Sequence, residues 1–297
     1  MAFKNNISNK DLIDFKQIFK NRVKSICKGR KPALAMSGGI DSMSVFFTLI
    51  ELNIDFECYT FFSKDYNSED LISSIKYCEF FDIKLNIIEL PSDVDSIYKD
   101  ICDLIPFLGK KIKKTKVETL RPLKYLFEKS THDLILNGLS GDDYQPNGRR
   151  VNIELKKNEG LNCDQHVIDL GFRVSKGQVK DSMRILSVEM AKNYKIDFVD
   201  VYESKEIENF FLKFELKTLL KPHKHLVTKT FENYFNKIGG FRNHSSYQVN
   251  SKIRDFHENL IKSKYNKRNS KNVIAIYNDI ANEYKSTQLN LFENGEN

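Results

Sequence analysis

The stretch Pro32-Ala33-Leu34-Ala35-Met36-Ser37-Gly38-Gly39-Ile40-Asp41-Ser42 decides how this chain is read. An apolar run ends in Ser-Gly-Gly, an acidic residue and a serine follow, and Val45, Phe46, Phe47, Leu49 and Ile50 resume the apolar character. That order predicts a strand, a tight loop and a helix. Gly38 and Gly39 let backbone amides approach a bound group with no side chain between. The helix start adds free N–H groups and the positive end of its dipole, so the turn suits a phosphate anion. Ser37 and Ser42 bring hydroxyl donors. Asp41 cannot favour a phosphate directly and is expected to hold Mg²⁺ against one.

Upstream, residues 8–28 read as a helix, with Ser8 and Asp11 as a capping pair and Leu12, Phe15, Phe19, Val23 and Ile26 on one face. Downstream, 56–62 is a second strand, and Ser68 caps a helix that turns Leu71, Ile72, Ile75 and Cys78 inward. Residues 85–90 form a third strand, 93–104 and 120–130 helices, and 134–137 a fourth strand. Strands alternating with helices predict an α/β fold, a parallel sheet with helices on both faces. Nucleotides in such folds sit beyond the carboxyl ends of the strands. After about residue 170 the alternation stops, and 179–194, 205–219, 223–236, 252–264 and 272–285 read as helices. The expected organisation is an N-terminal helix (1–30), an ATP-binding α/β domain (31–170), a C-terminal helical substrate-side region (171–285) and a flexible tail (286–297).

The fourth strand runs into Asn137-Gly138-Leu139-Ser140-Gly141-Asp142-Asp143-Tyr144. Small residues and carboxylates at a strand's carboxyl end make sense as a second wall of a nucleotide site. Asp142 and Asp41, opposed across ATP, would share Mg²⁺ and the pyrophosphate oxygens. The alternative is an Asx-rich turn with surface acids. The basic run at 110–116 is either a lid over phosphates or a solvated surface loop.

Composition sets outer bounds. A chain of 297 residues can bury a substantial core. No apolar run is long enough to span a membrane, and the first ten residues are too polar for a signal peptide. Cys27, Cys58, Cys78, Cys102 and Cys163 are widely spaced with no Cys-x-x-Cys, so zinc, iron–sulfur and thiol-relay chemistry lack their usual ligand spacing. A reducing cytoplasm is the expected setting. The net charge of +7 fits an anionic substrate or weak nucleic-acid contact, with most lysines on a solvated surface.

Ser37-Gly38-Gly39-Ile40-Asp41-Ser42 resembles the pyrophosphate loop of the N-type ATP pyrophosphatases, the PP-loop superfamily. It is not a Walker loop, because no Gly-Lys-Ser/Thr follows the glycines. The resemblance implies an adenine nucleotide alpha hydrolase-like fold that uses ATP and Mg²⁺. It assigns the pyrophosphate to Ser37, Gly38, Gly39 and Ser42, the metal to Asp41, and the adenine to backbone near Ala35, Tyr59, Thr60 and Phe61.

The stretch from Asn137 is similar to a signature in the synthetase domain of asparagine synthetase and β-lactam synthetase. Asp142 then matches that family's magnesium aspartate, and Asn137 and Gly138 match positions that line ATP. The family's glutamate falls on Leu139, which is neither acid nor base. Residues 224–234 resemble a further helix of those synthetases. In the loop after it, Arg242 matches an arginine and His244 stands where a lysine steadies pyrophosphate. An ordinary imidazole is only partly charged near neutrality.

This resemblance implies adenylation of a carboxylate, pyrophosphate release, and amide formation with ammonia or an amine. No glutaminase domain is expected ahead of it. Other PP-loop enzymes adenylate a DNA or tRNA base, and a degenerate, non-catalytic nucleotide-binding module is a third reading. Finally, Gln288-Leu289-Asn290-Leu291-Phe292 resembles the peptide by which bacterial replication proteins dock on the sliding clamp, the alternative being a fold-back onto the chain's own helices.

Overall fold

Five parallel strands in the order β3-β2-β1-β4-β5 form the centre of the computed structural model. It describes residues 4–63, 66–109, 112–144, 183–215, 218–219, 224–240 and 251–294. The strands are β1 (Ala33–Ala35), β2 (Glu57–Ser63), β3 (Leu85–Leu90), β4 (Leu134–Asn137) and β5 (Asp197–Asp200). Consecutive strands walk outward from β1 to β3, then the chain crosses back to β4 on the other side of β1. That reversal opens a crevice at the carboxyl ends of β1 and β4, the usual ligand position in a doubly wound sheet. The α/β architecture is the one expected from the sequence.

Helices cover both faces. On one face lie α1 (Asn9–Ile26), α2 (Ile40–Glu51) and α3 (Glu69–Phe80). α1 starts at a full capping box, in which Ser8 accepts from the Asp11 N–H and Asp11 accepts from the Ser8 N–H. Its Phe15, Phe19 and Val23 are wholly buried beside Phe46 and Phe47 of α2. On the other face lie α4 (Val94–Leu108) and α5 (Lys114–Lys129). After β4 come α6 (Gly141–Tyr144), α7 (Met183–Asn193), which joins the α4–α5 face, and α8 (Lys205–Phe211), which joins the α1–α2 face.

The C-terminal part is helical, as expected, but splits between the faces. Of its elements, α9 (His225–Thr230) and α10 (Glu232–Lys237) extend the α1–α2 core through Leu226, Val227, Phe231 and Phe235. The others, α11 (Ile253–Glu258), a 3₁₀ turn (Asn259–Lys262) and α12 (Val273–Asn294), lie on the α4–α5 face through Leu260, Val273, Ile276 and Tyr277. Among the described residues no helix is long and apolar enough to cross a membrane.

Several sequence readings change. The sequence pattern places no strand at β5, because Asp197 and Asp200 bracket its two apolar residues, yet it pairs with β4 from Leu134↔Asp197 to Asn137↔Asp200. α5 begins at Lys114, so the basic run is not one surface loop: Lys116 is buried and Lys114 faces Glu118 and Glu258. Ile72, expected inward, is 56 % exposed, and Tyr77 takes the inward place beside Cys78. The segment read as a flexible tail continues the last helix as far as Asn294.

Candidate functional site

The loop between β1 and α2 sits at the crevice. Gly38 has a left-handed φ of +65°, and a Cβ there would lie 2.6 Å from the Ser73 Cβ, so both conformation and space demand glycine. Ser42 is buried at the first turn of α2, and its Oγ donates to the Gly39 carbonyl at 3.0 Å. The Ser37 and Ser42 hydroxyls lie 3.2 Å apart, and the Gly39 N–H points at the Ser37 Oγ at 3.4 Å. Gly39 is the N-cap of α2 and offers no side chain to its first-turn N–H groups; α5, α9, α10 and α11 likewise lack a side-chain cap, whereas α1, α3, α4 and α8 are capped by Ser8, Ser68, Asp93 and Ser204. An uncapped helix start beside glycines is suited to an anion.

The second wall approaches Asp41 closely. A Cβ at Gly138 would lie 2.9 Å from the Asp41 carbonyl carbon, and one at Gly141 would run into the Asp41 carboxylate. These two glycines therefore let the β4 loop pack on the first turn of α2. Asn137 is buried and its Oδ1 accepts from the Leu139 N–H at 3.1 Å, so its carboxamide shapes the loop. Asp200, at the end of β5, accepts from the Ser140 N–H at 2.7 Å and from the Tyr202 N–H at 3.1 Å. Tyr202 and Ser44 share a hydrogen bond of 2.8 Å, and Ser44 donates to the Asp41 carbonyl. A missed strand thus holds both walls. Its signal was an acid at a strand end where chains of this topology place function.

Lys224 brings the expected acids together. Its ammonium pairs with the Asp41 Oδ2 and, at 2.7 Å, with the Asp142 Oδ1. The lysine is buried and Asp142 is half open to solvent. The other oxygen of Asp41, Oδ1, is buried and has no hydrogen-bond partner. Burial pushes the Asp41 carboxyl up to about 6 against the pull of Lys224, and the Asp142 charge pushes the same way. Burial also pushes Asp200 up to about 6 in spite of its two N–H donors. Burial works against the charge of Lys224, but Asp41 and Asp142 hold its affinity for the proton above the ordinary lysine value. The resemblance to a synthetase helix matches Lys224 to the lysine that opens it, but a contact across 183 positions has no local signal.

Of the residues expected near adenine, Ala35 and Tyr59 share a row of the sheet, and Thr60 and Phe61 follow along β2. Ala35 pairs with Tyr59, and Tyr59 with Asn86. The Tyr59 carbonyl accepts from the Met36 N–H at 2.9 Å, so the sheet already uses it. Thr60 is buried and Phe61 half-buried. Tyr59 also lines a cavity of about 570 Å³ with Lys84, Asn86, Glu89, Tyr125 and Lys129, none of them in the loop. Leu139 is 44 % exposed at the crevice. Arg242 and His244 lie outside the described residues. Among the described residues no group of three or more His, Cys, Asp or Glu is placed to hold a metal ion by itself.

Fold and site together define a doubly wound α/β protein with an anion-suited loop and two opposed carboxylates at its switch point. No protein-family model matches the chain, and no curated protein matches it. Among solved structures it is similar to the U34-tRNA thiolase NcsA from Methanococcus maripaludis with its 4Fe–4S cluster. The identity is 15 % over 92 % of this chain and 79 % of that one, with a TM-score of 0.37. At that level nothing of the thiolase's chemistry transfers.

Proposed function

We propose that this chain is an ATP pyrophosphatase that adenylates an oxygen of its acceptor. The convergence at one crevice of an uncapped α2 start, a glycine loop, and Asp41 and Asp142 carries this reading. The Ser37–Ser42 loop would bind the β- and γ-phosphates through its N–H and hydroxyl groups. The acceptor oxygen then forms a bond to the α-phosphorus, the bond from that phosphorus to the bridging oxygen breaks, and pyrophosphate departs with the electron pair. Preorganised donors at the leaving group do most of such work.

Magnesium fits the donor set. Mg²⁺ is typically held by one or two carboxylates together with substrate phosphates. The orphaned Oδ1 of Asp41 would supply one such oxygen and Asp142 another. Bound there, the ion would offset the charge that gathers on pyrophosphate.

For the acceptor we favour a nucleic-acid base in DNA or tRNA. The net charge of +7 suits a polyanion, and an exposed leucine, Leu139, stands where the amide-forming synthetases carry a glutamate. Adenylation of a small carboxylate followed by amide formation with ammonia or an amine is the second reading. The helix opened by Lys224 and the placement of Asp142 favour it. Pyrophosphate release from ATP–Mg²⁺, measured with tRNA, DNA or a panel of amino acids, separates the two. Release stimulated by nucleic acid supports the first, and release stimulated only by a carboxylate overturns it. ATP binding with no release under any condition would leave a nucleotide-binding module.

A bacterial sliding clamp is the proposed partner of Gln288-Leu289-Asn290-Leu291-Phe292. Titration of the full chain against a clamp, with Leu291 and Phe292 changed to alanine as control, tests it; no binding at high micromolar concentration removes the partner.

A further inference from the structure

The ammonium of Lys224 occupies the position between two carboxylates that a divalent cation would take. It bridges Asp41 and Asp142, and its side chain is 6 % exposed. It reaches that point from the start of α9, where its own backbone has φ +51° and its carbonyl accepts from the Thr228 hydroxyl. The lysine does not give every carboxylate oxygen a partner. Here the Asp41 Oδ1 is left without one and Asp142 is 61 % exposed. Two carboxylates against one ammonium leave a net negative charge, and Asp200 adds to the field at Asp41. The pair therefore retains attraction for a further cation.

Resting on the metal site of the proposed function, we infer that Lys224 is the built-in counter-ion of that site and competes with the divalent cation for Asp41 and Asp142. An ammonium and a metal ion cannot both sit at contact distance from the same two carboxylates, even on different oxygens of Asp41, because like charges so close repel strongly. Without metal, Lys224 holds the two walls together across the crevice. When the cation enters, the flexible four-carbon stem lets the ammonium turn aside. Asp41 and Asp142 then coordinate metal without either wall having to move. The site so built stays folded when empty and takes up metal only at a concentration that outcompetes the lysine.

The test uses the full chain and Mn²⁺ alone, with free Mn²⁺ read by electron paramagnetic resonance. Lys224→Met, which keeps the stem and removes the charge, is expected to bind Mn²⁺ about tenfold tighter or more than the parent chain. Its melting temperature is expected to be lower without metal and to rise more steeply on Mn²⁺ addition. Equal or weaker Mn²⁺ binding by Lys224→Met overturns the inference. Should that variant fail to fold, acetylation of the parent chain read by mass spectrometry decides: Mn²⁺ is expected to raise labelling of Lys224 severalfold, and unchanged labelling overturns the inference. Retention of ATP–Mg²⁺ by the parent chain is measured in parallel. Failure of the Mn²⁺ result with ATP still bound removes only the role of Lys224, whereas loss of ATP binding removes the nucleotide reading and leaves the Mn²⁺ result standing.

Discussion

Two buried clusters of opposite charge lie in this molecule, and they are built to different ends. Around Asp100 of α4 every oxygen is used. One accepts from Arg121 Nε at 2.7 Å and the other from Lys124 Nζ at 3.0 Å, while the Tyr125 hydroxyl reaches both. Arg121 also donates to the Pro91 carbonyl, and Lys124 is shared with Asp103. Around Asp41 the same ingredients, carboxylate and lysine, leave one oxygen buried without a partner and the second acid open to solvent. A saturated cluster fixes α4 to α5; an unsaturated one at a topological switch point keeps capacity for a ligand. Burial of charge alone does not mark a site. An unfilled valence does so only where, as at Asp41, it faces the crevice between β1 and β4.

Substitutions break or sharpen that contrast. Asp41→Asn is expected to lower pyrophosphate release by at least about a hundredfold. It should cost less stability than loss of Asp100, as read by paired activity and thermal melts; full turnover would dissolve the distinction. Asp100→Ala leaves the buried Arg121 without a carboxylate, while Lys124 keeps Asp103, and a loss of about 3–5 kcal/mol is expected in denaturant titration. A loss no larger than that of a surface substitution would show the cluster to be ornamental. Gly141→Ala forces a methyl group onto the Asp41 carboxylate, so about 1–3 kcal/mol of stability and much of the ATP–Mg²⁺ affinity should go together. Calorimetry that found the affinity intact would separate the two walls.

The smallest effect is a pH slope at His257, within reach of Arg121 of the Asp100 cluster. His257 is fully buried with its Nδ1 2.6 Å from the Tyr277 hydroxyl, and burial pushes the imidazole down to about 3. Its folded value lies below the unfolded one near 6.5. The contribution of neutral His257 is therefore complete above that pH and is lost as the pH falls from 6.5 towards 3. Urea titrations at pH 7 and 4.5 should show His257→Gln losing less stability over that interval than the parent chain. The raised Asp41 and Asp200 work in the opposite sense, with stability lost as pH rises through about 6, but they are present in both proteins and cancel in the difference. Equal slopes would mean that His257 does not carry this pH dependence.

What the sequence makes legible follows from how local each signal is. β1, the loop and α2 are written in one contiguous stretch, and β3 and β4 are short apolar runs with clear ends, so their positions can be read directly. The cap of α1 needs only Ser8 and Asp11. β5 escapes because half of its residues are aspartates, one serving the strand's ladder and the other the Ser140 loop. The first turn of α5 escapes because lysines hide a helix whose buried face begins at Lys116 and Val117. At the site, Ser37, Gly38, Asp41 and Asp142 are legible as residue types in order. Lys224 is not, since only the packing of α9 against α2 delivers it to them.

The Ser37–Ser42 loop and the two opposed carboxylates are expected to receive a metal nucleotide. A crystal structure of the full chain with a non-hydrolysable ATP analogue and Mn²⁺, phased at the manganese edge, tests this most directly. The expected result is an anomalous peak between the Asp41 Oδ1 and Asp142, with the terminal phosphates on the Gly38 and Gly39 amides and Lys224 turned away. A nucleotide seated instead in the cavity beside Tyr59 and Lys84, with Lys224 still bridging Asp41 and Asp142, would contradict it.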